Sequence, residues 1–184
     1  MKKNLLIFSI LISQIVYCQT SQSGRSMFYI NCFTGKSALY NDLDKNTNGF
    51  GVGMRSRLLV GILDFSFDFS KSETRNYEEL KLSYDYPINI SFLSDSLNEF
   101  DFNVGAGFGL GRILNNENYF WDGVDDYSTR GLIFNLGLEY FRKELPISLF
   151  IASSFGSHRV LGWEVSSQSS FKLSLGCRFL LDYY

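Results

Sequence analysis

The sequence predicts an all-β chain that closes into an eight-stranded, antiparallel, up-and-down transmembrane β-barrel. Large apolar residues take every second position in eight segments of the 184-residue chain, which is the period of a β-strand. The positions between them are mostly small or polar, as in FDFNVGAGFGLGR at residues 100–112. After the first twenty residues, no apolar run approaches the length of about 18 residues that a membrane-spanning helix needs.

The first 18 residues have the pattern of a secretory signal peptide. Lys2 and Lys3 precede the apolar run LLIFSILISQIVY, which is short for a membrane-spanning helix. We expect cleavage after Cys18, so that residues 19–184 form the barrel domain. Cys18 also permits a lipoprotein signal, in which this cysteine is lipidated, but Tyr17 is bulky where that signal has a small residue.

The strands can be placed in order from the alternation. The first has its apolar face at Phe28, Ile30 and Cys32. The second and third have opposite apolar parity with no polar loop between them, which predicts a tight reversal near residues 60–62. The fourth contains Pro87, which suits an edge or a bulge because it cannot donate to a ladder. The eight segments are about 26–35, 48–59, 63–69, 79–90, 100–112, 131–140, 147–156 and 170–179.

The connections are predicted to alternate in length. Those after the second, fourth and sixth strands are expected to be short, and the other four long and polar. Long loops at one rim and short turns at the other are typical of outer-membrane barrels with both termini in the periplasm. The long connections are expected at about 36–47, 70–77, 113–129 and 157–167.

Side-chain volume predicts which face of the sheet points inward. The lumen of an eight-stranded barrel is just wide enough for side chains to fill. Roughly forty large apolar side chains would exceed the packing density of that space. The small and polar face is therefore expected inside, and the apolar face is expected to contact lipid.

The inward parity brings together five cations and six anions. Charges removed from bulk water must pair and hydrogen-bond, so this near-neutral set is expected to form a structural network. An ion-selective path would show an excess of one sign and a wider barrel. The predicted lumen residues are Arg55, Arg57, Asp64, Asp68, Glu79, Lys81, Asp85, Asp101, Glu139, Lys172 and Arg178.

The mature chain is mildly acidic, with 15 basic and 19 acidic residues once Lys2 and Lys3 are removed. This balance lacks the basic surface of a nucleic-acid-binding protein. Cys32 and Cys177 remain, on the first and last strands. They can form a bridge only if their Cα atoms lie within about 7 Å, and two lipid-facing thiols are the simpler interpretation.

The strand pattern and the ending FKLSLGCRFLLDYY resemble the small outer-membrane β-barrel proteins of the OmpA/OmpX and opacity-porin kind, including members from Bacteroidota. The resemblance covers the chain from about Ser26 to Tyr184. It implies a surface role such as adhesion, envelope integrity or host contact, and it brings no catalytic residues. Members end in an alternating strand and an aromatic residue that the insertion machinery recognises. The matching positions here are Phe171, Leu173, Leu175, Phe179 and Tyr184.

The third long loop, NNENYFWDGVDDYST, combines exposed aromatic and acidic residues. Such a set can bind a glycan or a protein partner. An interfacial aromatic belt with a solvated acidic tip is the favoured interpretation. The residues are Tyr119, Phe120, Trp121, Asp122, Asp125, Asp126 and Tyr127, with Trp163 in the fourth loop.

Three motifs favour other functions only weakly. GAGFGLG lacks the third glycine of the dinucleotide-binding spacing and precedes no helix. Residues 44–49 match the opening of a calcium loop, but its twelfth position is Arg55 where a bidentate glutamate is needed. His158, at the expected start of the fourth long loop, is next to Ser157 and near Glu164, but adjacent residues of a strand point to opposite faces.

The sequence therefore predicts a monomeric outer-membrane barrel without cofactor, metal or enzymatic activity. Its partners are expected to be membrane lipid, the insertion machinery and an extracellular protein or glycan at the loops. One alternative is a soluble lipocalin-like carrier with the apolar face inward. Another is a lipid-modifying barrel enzyme that uses His158.

Overall fold

A computed structural model describes residues 26–37, 45–71, 75–91, 93–115, 127–142, 145–161 and 166–181. The expected leader lies outside the described residues, as do 116–126 of the third loop. Among the described residues, no helix is long and apolar enough to cross a membrane. The strands are β1 (Met27–Ser37), β2 (Lys45–Leu58), β3 (Gly61–Lys71), β4 (Arg75–Asn89), β5 (Phe100–Asn115), β6 (Tyr127–Phe141), β7 (Ile147–Leu161) and β8 (Ser166–Leu180).

Each strand pairs antiparallel with the next, and β8 pairs with β1, so the predicted eight-stranded up-and-down barrel is confirmed. Following the register once around the barrel leads from Ile30 to Ser167. Ile30 pairs directly with Cys177, so the strands are staggered by ten residues. At a rise of about 3.3 Å and a strand spacing of about 4.8 Å, this stagger corresponds to a tilt of about 40°.

Most of the large apolar side chains on the eight strands point outward. Phe65, Leu136 and Leu173 are exposed, and the small and polar residues between them face the lumen. A soluble carrier requires the opposite arrangement. On β5 the outward apolar positions run from Phe100 to Leu110, which spans about 25 Å along the axis at this tilt. That height is typical of the lipid-facing band of an outer-membrane barrel.

The connections differ in length from the prediction. The expected tight reversal is present as the two-residue turn of Leu59 and Val60, with Leu59 at a positive φ of 56°. The connection between β4 and β5 covers residues 90–99, however, and is longer than those at 72–74 and 162–165. The strands extend beyond their expected ends because polar residues continue the ladders past the apolar band.

Two residues that interrupt the alternation find places inside the barrel. Ile133 faces the lumen and is buried. Pro87 is buried opposite Asn103 of β5. The β3 ladder on β4 begins at Asp85, so Pro87 lies where this side of β4 has no β3 partner, and its missing N–H costs no ladder bond there.

Candidate functional site: the barrel interior

An ionic layer lies across the lumen near the end that carries the short β2–β3 turn. Glu139 is its centre: one carboxylate oxygen accepts from Nη1 of Arg55 at 3.2 Å and from Nη1 of Arg178 at 2.5 Å. The other oxygen accepts from the Ser148 hydroxyl at 2.5 Å. Both arginines and Glu139 are buried, so each charge has the partner that burial requires.

Aromatic rings pack around this layer. The guanidinium of Arg178 lies over the Phe150 ring at 3.9 Å, a cation–π contact. Tyr29 packs edge-on against Phe150 and donates a hydrogen bond of 2.7 Å to Asp64. The layer is therefore both charged and densely packed.

Two further carboxylates at this end are bonded by neutral donors. Asp85 accepts from the Ser83 hydroxyl at 3.2 Å and from the Asn135 amide at 3.4 Å. Asp101 accepts from the Asn89 amide at 3.3 Å. These bonds satisfy carboxylate oxygens that burial would otherwise leave without a partner.

A second ionic layer lies toward the opposite end, which carries the β1–β2 and β5–β6 connections and is called the loop-bearing end below. Lys172 joins two carboxylates, with Nζ 3.1 Å from Asp68 and 2.6 Å from Glu79. Lys81 contacts Asp68 at 2.7 Å. The Lys172 ammonium also lies over the Phe33 ring at 4.9 Å. This layer contains two cations and two anions, and its charges are balanced.

Small polar residues separate the two layers. They line a cavity of about 60 Å³, which has room for a few ordered waters but not for a solute of ordinary size. Glycines on β5 let the larger side chains fit, since a Cβ added at Gly109 would lie 2.5 Å from the Glu79 carboxylate and one at Gly111 2.5 Å from the Thr129 hydroxyl.

The structure places nine of the eleven predicted lumen residues in buried inward positions, with Lys81 inward and half-buried. Arg57 is the exception, because it is exposed and its Nε donates to the Leu59 carbonyl at 3.5 Å. By alternation its side chain belongs to the inward face, but it lies next to the β2–β3 turn, beyond the packed interior. Excluding Arg57, four cations face six anions in the lumen.

His158 lies within β7 rather than in a loop. It faces the lumen, whereas Ser157 faces outward. Its Nε2 is 3.0 Å from the Ser170 hydroxyl, and its Nδ1 is 3.7 Å from Glu79. This order of groups is that of a Ser-His-acid triad, but the adjoining cavity is only about 20 Å³. The backbones of both residues belong to ladders and do not form an oxyanion hole.

Several lumen residues were not predicted from the sequence. Tyr29 and Phe33 share the inward parity of β1, and Tyr77 that of β4, where its hydroxyl is 3.0 Å from that of Thr129. They were missed because large aromatic side chains were expected on the lipid-facing side of the sheet. Parity alone would have placed them inside.

The other sequence predictions fall at the rim or outside the described residues. Tyr184, Trp163 and the six loop-three residues from Tyr119 to Asp126 are not described, and Tyr127 opens β6. The four described insertion-signal residues all point outward on β8: Phe171, Leu173, Leu175 and Phe179.

The residues that match the opening of a calcium loop do not form a loop, since Asn48 and Gly49 belong to β2. Among the described residues there is no group of three or more histidines, cysteines or carboxylates placed to hold a metal ion. Cys32 and Cys177 are free thiols on the outer face. They are diagonal neighbours, because Cys32 pairs with Leu175.

Comparison with solved structures identifies the same fold. Neisserial surface protein A aligns over 85% of this chain and 97% of its own, with a TM-score of 0.68 and 16% identity. The N-terminal β-barrel domain of Pseudomonas aeruginosa OprF aligns over 85% and 99%, with a TM-score of 0.51 and 16% identity. No protein-family model and no curated protein matches the sequence. The chain has the fold of the small eight-stranded outer-membrane barrels.

Proposed function

We propose that this protein is a monomeric outer-membrane barrel with an interior closed to solutes, and that it acts through the loops it presents outside the cell. The observation that carries the proposal is the combination of an outward apolar band about 25 Å high with a lumen filled by two ionic layers. The band requires lipid around it. The layers support a structural or surface-contact role in preference to transport through the lumen.

The closed interior follows from what a solute would have to displace. A hydrated ion that enters from the loop end meets the Lys172–Glu79 contact of 2.6 Å. One that enters from the other end meets Arg178 and Glu139 at 2.5 Å. Separating either buried pair would leave charges without partners, which costs several kcal/mol.

Single-channel recording in planar lipid bilayers tests the closed interior. The purified protein is expected to give no stepwise conductance in 1 M KCl, under conditions in which a general porin gives open channels. Regular conductance steps from the heat-modifiable, folded protein would show that the two layers open.

The location can be tested by fractionation after expression with the full leader. We expect the protein in the outer-membrane fraction, and we expect the unheated form to migrate differently from the boiled form on a gel, because a closed barrel resists detergent. Recovery as a freely soluble periplasmic protein would contradict the proposal and support a carrier.

The orientation can be tested with single cysteines at the two ends of the barrel. We propose that the β1–β2 loop at 38–44 and the β5–β6 loop at 116–126 are extracellular. In a background without Cys32 and Cys177, Phe120→Cys should react with a membrane-impermeant maleimide in intact cells. Ser94→Cys, in the β4–β5 connection at the other end, should react only after lysis. The reverse result would invert the orientation.

We further propose that the barrel has no enzymatic activity at His158. The adjoining cavity is too small for an ester, and Ser157 lies on the other face of β7. Replacing His158 with Ala should leave the lipid A profile of the host cell unchanged. A profile that differs between the wild-type protein and this variant would restore the enzyme hypothesis.

A further inference from the structure

Two arginines stand side by side on the outer face of the barrel. Arg130 of β6 and Arg159 of β7 are direct cross-strand partners, and both side chains are exposed. Directly opposed residues of antiparallel strands have Cβ atoms about 5 Å apart. Like charges at that distance repel each other and destabilise the strand pair, so an anion next to both arginines would be stabilising.

Neither arginine has such a partner among the residues that the structure describes. Arg112 of β5 is a diagonal neighbour of Arg130, since Leu110 is the direct partner of Arg130. Arg112 has a residue of opposite charge, Glu78, as its direct cross-strand partner on β4. The excess positive charge of the patch therefore belongs to the Arg130–Arg159 pair.

The pair lies at the boundary of the lipid-facing band. The next outward position on β6 is Leu132, which is 59% exposed, and on β5 the last apolar residue of the band is Leu110. The charged groups thus lie at the level where acyl chains meet headgroups. A ligand here would have an anionic part next to the arginines and an apolar part against Leu132.

The outward charges are distributed unequally between the two ends of the barrel. Every outward-facing charged residue on the described strands lies toward the loop-bearing end, and none lies toward the opposite end. Five of the six are cations. They are Lys36, Lys71, Glu78, Arg112, Arg130 and Arg159.

We propose that Arg130 and Arg159 bind the phosphate of a lipid in the outer leaflet, with its acyl chains against Leu132. Two guanidinium groups can donate several charge-assisted hydrogen bonds to one phosphate. These bonds are stronger at the edge of the hydrocarbon than in water because the local dielectric is lower. The choice of leaflet depends on the location and orientation proposed above.

The test compares two variants that remove the same charge. The first is the double substitution R130Q/R159Q. The matched control is K36Q/K71Q, which removes two exposed cations from β1 and β3, strands that are not neighbours. Each protein is placed in phosphatidylcholine nanodiscs, and lipid A is titrated in while binding is measured by native mass spectrometry.

Wild-type protein is expected to bind lipid A, and R130Q/R159Q is expected to bind it at least tenfold more weakly, whereas K36Q/K71Q should differ from wild type by less than twofold. Lipid A without its phosphates should bind wild type as weakly as lipid A binds R130Q/R159Q. Inorganic phosphate should not compete at equal concentration, because it has no acyl chains. Equal weakening in both variants, or no binding by wild type, would overturn the proposal.

Two further measurements separate this proposal from its alternatives. In a zwitterionic detergent, R130Q/R159Q should unfold at no lower denaturant concentration than wild type, because the variant loses a repulsive pair of like charges. A large loss of stability in this variant would indicate a structural role for the two arginines and would overturn the proposal. Both variants should remain in the outer-membrane fraction. Wild type outside that fraction would refute the proposed location, whereas wild type inside it with unaltered lipid A binding by R130Q/R159Q would refute the phosphate site alone.

Discussion

At the scale of single residues, position along the axis decides what an inward charge does. Arg55 and Arg57 belong to the same strand and have the same parity. Arg55 is 1% exposed and bonded to Glu139, whereas Arg57 is exposed and donates to a nearby carbonyl. Two identical side chains two residues apart therefore contribute to stability in different ways.

Arg55→Gln is expected to lower the free energy of unfolding by about 1.5 to 3 kcal/mol, since it removes one charged hydrogen bond and leaves the buried Glu139 with one cation in place of two. Arg57→Gln is the matched control and should change stability little, because an exposed charge loses little in high dielectric. Denaturant unfolding in lipid vesicles measures both. Equal losses in the two variants would show that the ionic layer does not stabilise the barrel.

Lumen glycines differ in the space around them. A Cβ at Gly53 would overlap the Tyr29 ring, and the hydroxyl of this ring is held by a hydrogen bond to Asp64. A Cβ at Gly137 would meet Ala152 at 3.4 Å, an ordinary contact. We expect Gly53→Ala to cost about 1 to 3 kcal/mol through overpacking and Gly137→Ala to cost less than about 0.5 kcal/mol. The same unfolding assay measures both losses. A larger loss in Gly137→Ala than in Gly53→Ala would contradict the packing described.

At the scale of strands, the ladders are longer than the apolar band they carry. β5 has 16 residues, of which the outward apolar positions from Phe100 to Leu110 cover the band. The ladder continues beyond Leu110 to Asn115, because strand pairing satisfies backbone groups whether or not lipid surrounds them. Prediction from alternation of polarity therefore ended the strands too early.

The seam between β1 and β8 can be tested with one introduced cysteine. Ile30 is the direct cross-strand partner of Cys177. Ile30→Cys in a Cys32→Ser background therefore places two cysteines opposite each other, with their Cα atoms about 5.5 Å apart. Mild oxidation should form a bridge that makes the boiled, unreduced protein migrate as a more compact species. Wild type, with Cys32 and Cys177 diagonal to each other, should form little of it. A bridge in wild type alone would mean that the register is shifted.

At the scale of the whole molecule, tilt and strand length set the thickness of membrane that the barrel fits. The stagger of ten residues gives the tilt, and with the apolar run of β5 it gives a band of about 25 Å. Lipid bilayers thinner or thicker than this must deform at a modest cost for each ångström of mismatch.

We therefore expect the free energy of unfolding to be highest in vesicles with a hydrocarbon core near 25 Å, and to decrease in cores several ångströms thinner or thicker. Phosphatidylcholines of increasing chain length provide the series. A stability that rises steadily with thickness would mean that the lipid-facing band extends beyond Leu110, into the polar ends of the strands.

The amino-acid sequence by itself determined the strand number and the direction of each face. Alternation identifies which residues share a face, and volume excludes large apolar side chains from a narrow lumen, as Phe65 and Leu173 show on the outer surface. It also placed Lys172 and Glu79 on the inner face. The sequence did not determine how far along the barrel axis these two residues lie, because alternation identifies the face of the sheet and not the position along the axis.

Only the tertiary structure decided which inward charges meet. Glu139 contacts Arg55, 84 residues away in sequence, and Arg178, 39 residues away. The cross-strand pairing of Arg130 with Arg159 likewise required the register. The physical reason is that the stagger between strands is a property of the closed barrel, so the level of each side chain is set when the first strand meets the last.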